Sequence, residues 1–209
     1  GLAALFKQAG RADLAGLALA AVFVQALGHA LAKSAAFLAY GHAVHAARVR
    51  DLERLGGLAR VMPGTSWAAL LATLALAGLP LFACFTGEWL VMQALILGYS
   101  AGTGTLRLLA PFAAAGLALA GALALAALVK LYGIAFLGRA RSPEAAAAQD
   151  APLGRANAMF AIALLPLLLG VGAPWIAEGL ARPVTGLVPG FSSDVLGRAG
   201  GLLLVPAGL

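Results

Sequence analysis

The chain has 209 residues, of which 62% are hydrophobic and 11% charged, with a formal net charge of +6 and a single cysteine, Cys84. A soluble domain carries roughly a quarter charged residues. The apolar runs here are long, rich in Leu and Ala, and do not alternate, which excludes a β-barrel and leaves an all-α, polytopic transmembrane helical bundle. The arginines sit in short connectors beside the apolar runs, as at cytoplasmic flanks of membrane helices, so the positive charge does not point to nucleic acid.

The first predicted segment runs from about Leu14 to Ala47, longer than the ~20 residues that cross a bilayer. It ends in a basic connector, Arg48 to Gly64, punctuated by Gly56-Gly57 and Pro63-Gly64. The second stretch, Ser66 to about Tyr99, is interrupted at Gly78-Leu79-Pro80 and again at Phe85-Thr86-Gly87. Neither half spans alone, so the stretch reads as one discontinuous helix, broken near 80–87, with Thr86 capping its second half. Broken helices are tolerated in lipid only where the freed backbone faces protein or a wet cavity.

A third segment, about Arg107 to Leu137, carries Gly116 and Gly121 for close packing. A polar loop, Gly138 to Arg155, leads to a fourth segment, about Ala156 to Val171, with Pro166 inside it. The tail from Trp175 to Arg198 is Pro/Gly-punctuated and reads as a surface segment, before a partial fifth segment at 200–209. The chain starts at Gly1 without methionine and stops within an apolar run. It therefore reads as an internal fragment of something larger, with one transmembrane domain fragment over 1–209. The 48–65 and 138–155 loops together hold seven Lys/Arg against five in the other flanks, which predicts that both are cytoplasmic.

Three ionised side chains fall well inside apolar segments: Lys33, Glu88 and Lys130. Groups of this kind are costly in lipid and face a bundle interior or a wet path. Gln25, His29 and Lys33 recur at spacing four, with Tyr40 seven further on, making one polar stripe on an apolar helix. Desolvation disfavours a lysine's charge and histidine titrates near neutrality, so such a stripe can accept and pass a proton; it can equally be a helix–helix hydrogen-bond seam. Glu88 falls just after the break, where the positive end of a half-helix stabilises a carboxylate; the plainer reading is that it helps cap that helix. Lys130, two turns before its segment ends, reads on spacing as a snorkelling lysine. His42 and His45 are a weak metal signal with no supporting Cys or carboxylate cluster. Trp67, Trp89 and Trp175 read as interface or packing residues. No nucleotide loop, nucleophile motif or haem ligand pair is present, so no cofactor is expected.

The run Gly28 to Pro63, GHALAKSAAFLAYGHAVHAARVRDLERLGGLARVMP, resembles the antiporter-like proton-translocating subunits of respiratory complex I and of group 4 hydrogenases. Gly78 to Leu95, GLPLFACFTGEWLVMQAL, is similar to the broken helix of that family. Val129 to Glu144, VKLYGIAFLGRARSPE, is closest to its hydrogenase branch, the formate hydrogenlyase and hydrogenase-4 type. The resemblance implies that Lys33 is the central membrane lysine with His29 beside it, that Glu88 is the charged group of the broken helix, and that Lys130 and His45 also match family positions. Ala32 departs from a common aromatic, and Leu81 from a common second proline after Pro80.

The implied function is translocation of protons, or sodium, through a relay of Lys, His and Glu, driven by redox chemistry in partner subunits. The chain would not be an enzyme by itself. Its partners would be other membrane subunits and a hydrophilic redox arm, in the bilayer of a cell's inner (plasma) membrane. Membership of an Mrp-type cation/proton antiporter and the role of a non-transporting membrane anchor are the competing readings.

Overall fold

The longest helix, α2 (Ala12–Ala47), has 36 residues and packs against most of the other long helices. Its buried face is almost entirely small, with Gly16, Ala21, Gly28, Ala32, Ala35, Ala39, Ala43 and Ala47 at helical spacing. In lipid there is no hydrophobic drive between helices, so close backbone approach over small residues supplies the packing. The computed structural model describes residues 1–101, 104–192 and 194–196. Besides α2 they form α1 (Leu2–Gln8), α3 (Leu58–Val61), α4 (Pro63–Leu76), α5 (Ala83–Ala101), α6 (Gly104–Phe136), α7 (Pro143–Ala146), α8 (Leu153–Val171) and α9 (Ala173–Leu187). No strand occurs among the described residues. Helices α2, α6 and α8 are long and apolar enough to cross a membrane, whereas α4 is apolar but has only 14 residues. The 200–209 segment lies outside the described residues.

The break falls at 77–82, earlier than the sequence pattern suggests. Helix α4 ends in a Schellman motif: the Gly78 N–H donates to the Ala75 carbonyl and the Leu79 N–H to the Leu74 carbonyl, with Gly78 at φ +65°. Pro80 follows and cannot rejoin the helix. Leu81 then adopts φ +80°, a conformation closed to proline, whose ring fixes φ near about −65°. Residues Phe85-Thr86-Gly87 are helical rather than a second interruption. The Gly87 signal has another cause: Gln25 of α2 packs directly on it, so the missing side chain serves packing. Thr86 therefore lies inside α5 and does not cap it, and Glu88 lies in the second turn of α5.

The exposed backbone of the break is wedged between two glycines of other helices. A Cβ on Gly28 of α2 would meet Ala83, and one on Gly170 of α8 would meet the Leu81 carbonyl and the Phe82 and Ala83 backbone. Ala32, wholly buried, packs in the same cluster as Ala75, Phe82 and Cys84, which leaves no room there for an aromatic ring.

The two basic loops meet at one end of the bundle. The Gly57 N–H donates to the Leu137 carbonyl at 2.9 Å, Arg54 pairs with Glu144 at 3.2 Å, and Arg141 reaches the Leu55 carbonyl at 3.4 Å. At the other end Phe6 of α1 sits against Gly98 near the end of α5. The chain thus enters α4 at the loop end and leaves α5 at the opposite end, so the two traverse the bundle once. The tail differs from the sequence reading in containing a regular helix, α9, which continues through Pro183 and packs on α2 through buried Val184, with Val188 buried just beyond its end.

Candidate functional site

Glu88 projects from α5 into a cleft between the break and α6. It is half-buried. A Cβ on Gly78 would come within 2.8 Å of Glu88 Oε2, and one on Gly121 of α6 within 4.0 Å, so glycines flank the carboxylate on both sides. The cleft holds about 310 Å³, with Ala77, Phe85, Trp89, Leu117 and Ala118 among its walls. Glu88 forms no hydrogen bond or ion pair among the described residues. Trp89 Nε1, in the wall of the cleft, is buried without a hydrogen-bond partner among those residues, as is Gln25 Oε1, which packs on Gly87 from α2. Buried polar groups are otherwise almost always satisfied, and polar cavities of sufficient size hold water. An unpaired carboxylate in such a cleft, near the positive end of a half-helix, is an arrangement that can take up and release a proton.

The other predicted residues stand elsewhere. His29 and Lys33 are exposed on the outward side of α2, while Gln25 and Tyr40, at the two ends of the same stripe, turn inward. His45 is exposed in the last turn of α2. Lys130 is exposed on α6, the least buried of the three helices long and apolar enough to cross a membrane. No hydrogen bond or ion pair joins Lys33, His29, His45, Lys130 and Glu88 to one another among the described residues. The structure brings Glu88 to the break and leaves the lysines on outer faces. His42 is half-buried with Nε2 lacking a partner, and no group of three His, Cys, Asp or Glu able to hold a metal occurs among the described residues.

Sequence reasoning missed a set of buried polar contacts on α4. Tyr40 Oη lies 2.8 Å from Thr73 Oγ1, and Ser66 Oγ lies 2.9 Å from Tyr132 Oη. Asp150, from the distant loop, accepts from the Gly64 N–H at 2.6 Å, the Thr65 hydroxyl at 2.6 Å and the Thr65 N–H at 3.2 Å. Burial works against the Asp150 charge, but the hydrogen bonds from Thr65, Ala151 and Gly64 outweigh it and hold the carboxyl below the usual range. The only sequence signal was the presence of hydroxyl residues in an apolar helix, which does not name their partners.

Residues 12–110 match the family described as NADH:quinone oxidoreductase/Mrp antiporter, TM. The chain is 40% identical over 158 residues to formate hydrogenlyase subunit 3 of Escherichia coli, covering 76% of this chain and 26% of that protein. It is 37% identical over 151 residues to hydrogenase-4 component B of the same organism, covering 72% of this chain and 22% of that one. A shorter match, 39% over 71 residues, reaches a Na(+)/H(+) antiporter subunit of Bacillus subtilis, with 34% of this chain and 9% of that protein. The chain spans about a quarter of the length of the two hydrogenase relatives.

Proposed function

We propose, from the match of residues 12–110 to the family described as NADH:quinone oxidoreductase/Mrp antiporter, TM, that the chain forms part of a path moving protons, or another cation, across the membrane. The observation that carries this reading is Glu88: an unpaired, half-buried carboxylate set in a cleft where a membrane helix is broken. Intramembrane carboxylates persist where they serve ion movement, because their burial is costly.

The whole protein is proposed to be an antiporter-type subunit of a hydrogenase or quinone oxidoreductase complex. The long matches to formate hydrogenlyase and hydrogenase-4 subunits support this over a free-standing antiporter. Redox chemistry then resides in partner subunits, and this chain is not a catalyst alone. Lys33 and His29 on α2, Lys130 on α6 and His45 at the loop end are the proposed companions of Glu88. A lysine on an outward membrane face needs a partner or a wet path; further helices packed on α2 and α6 in the whole protein would supply it. The seven Lys/Arg of the two joined loops support a cytoplasmic position for that end of the bundle, in a plasma membrane.

Lys33→Ala in the full complex tests the reading. Proton uptake into inverted vesicles is expected to be lost while partner redox turnover continues uncoupled; unchanged uptake at normal abundance would overturn it. The Mrp-type reading rests on the shorter match to antiporter subunits. Cation-driven proton exchange without any redox substrate would favour it.

A further inference from the structure

Trp67 stands one turn into α4 from the loop end of the bundle and is 60% exposed. Beside it a groove of about 700 Å³ runs between α4 and α8, which both start at the loop end and run the same way. The floor lies where the two helices touch: a Cβ on Gly64 would meet the Ala156 Cβ at 3.0 Å. Trp67 of α4 and Phe160 of α8 form the inner walls, and Asp150, from the loop, lies at the outer end. Between them Asn157 of α8 is exposed, and its side-chain amide makes no hydrogen bond among the described residues. The stretch of α8 that lines the groove, Leu153 to Phe160, is about 10 Å long. Over that length the lining passes from a carboxylate through an amide to aromatic rings. Beyond the groove, Leu164 and Leu168 continue the Phe160 face of α8 at spacing four, with Leu168 exposed.

We propose that this groove binds a phosphatidylethanolamine molecule, with its ammonium on Asp150, its phosphate on Asn157, and an acyl chain along Trp67, Phe160 and Leu168. The lining changes from charged to apolar in the order that such a lipid does, from headgroup to chain. The hydrogen bonds to Asp150 are uneven. Its Oδ1 accepts from the Thr65 hydroxyl, the Thr65 N–H and the Ala151 N–H, whereas Oδ2 accepts only from the Gly64 N–H. An ionised carboxylate has about four acceptor sites, two on each oxygen, so Oδ2 keeps one for a further donor. With its carboxyl held below the usual range, Asp150 is charged at neutral pH. A primary ammonium offers it N–H donors, a trimethylammonium offers none, and a headgroup of net negative charge is repelled. No Lys or Arg among the described lining residues offsets that repulsion. A packing helix is the poorer occupant. Close helix approach asks for small residues, where Trp67 and Phe160 project, and an apolar helix would leave the Asp150 charge facing hydrocarbon. The proposal does not depend on the translocation reading.

Photo-crosslinking in membranes that hold the full complex tests this. The probes are phosphatidylethanolamine, phosphatidylcholine and phosphatidylglycerol, each with a diazirine in one acyl chain. Labelling of the peptides that contain Trp67 and Phe160 is expected to be about tenfold stronger with phosphatidylethanolamine than with the other two, the weight of one charge-assisted hydrogen bond. Trp67→Ala and Asn157→Ala change exposed side chains and are expected to weaken that labelling several-fold at normal complex abundance. Asp150→Asn also removes a helix cap, so it is read as a ratio within the assembled protein: the preference for phosphatidylethanolamine over phosphatidylglycerol is expected to vanish. Equal labelling by all three probes overturns the proposal, and so does wild-type labelling in both the Trp67 and Asn157 variants. If no probe labels these peptides, another segment or subunit fills the groove, which overturns it as well.

Discussion

Asp150 holds Thr65 by two hydrogen bonds, to its hydroxyl at 2.6 Å and its N–H at 3.2 Å, across 85 residues of sequence. With the Gly64 N–H also donating to it, this carboxylate caps the start of α4 from outside the helix. A negative charge at a helix N-terminus satisfies orphan donors and complements the dipole.

Asp150→Asn is therefore expected to lower stability by about 1–3 kcal/mol, the cost of losing charge-assisted bonds at a partly buried group. The sign of the pH effect follows from the lowered carboxyl. Its stabilisation is fully present above the unfolded value, about 3.9, and is lost as pH falls through the folded value. Thermal unfolding in detergent between neutral and acidic pH checks this: the gap between wild type and variant should close on acidification. A gap that stays constant would remove Asp150 from the account.

At the break, Gly78 has φ +65° and its missing side chain makes room for Glu88. Gly78→Ala is expected to cost about 1 kcal/mol through the left-handed backbone alone. The added methyl would also push the Glu88 carboxylate out of its cleft position. Complex abundance should fall slightly and proton uptake more steeply; equal losses would mean that only folding was affected.

Leu81 carries the opposite strain, a non-glycine residue at φ +80°. Leu81→Gly is expected to stabilise the protein by roughly 1 kcal/mol, because its side chain is about half exposed and loses little on truncation. A lowered melting temperature would contradict this.

Gly170 of α8 touches the backbone of the break. Gly170→Val places atoms where the Phe82 and Ala83 backbone already lies, and overpacking of this kind costs about 1–3 kcal/mol or more. The expected result is loss of assembly, read as complex abundance. Normal abundance would show that the break is free to move.

Much of this architecture is written locally in the chain. The apolar runs of α2, α6 and α8 announce themselves by composition, and Gly78-Leu79-Pro80 marks a helix end whose Schellman bonds need only neighbouring residues. The far edge of the break is hidden because Gly87 looks like a breaker, while its true constraint is Gln25 on another helix. The same limit hides Asp150: a cap is recognisable when it precedes its helix, and this one arrives from a loop that follows it by 85 residues. For the site, spacing places Glu88 near the break and aligns Gln25, His29, Lys33 and Tyr40 on one stripe. It does not show that the stripe twists outward at His29 and Lys33 and inward at Tyr40, nor that Tyr40 finds Thr73, because burial depends on which helices pack on α2.

The central claim is that the Glu88 carboxylate handles protons rather than ending a helix. The most direct measurement is proton uptake by inverted vesicles containing the full complex with Glu88→Gln, which keeps size and hydrogen-bonding capacity but cannot titrate. The account predicts normal complex abundance with proton uptake nearly abolished. Uptake at the wild-type rate, or failure of the complex to assemble, would contradict it.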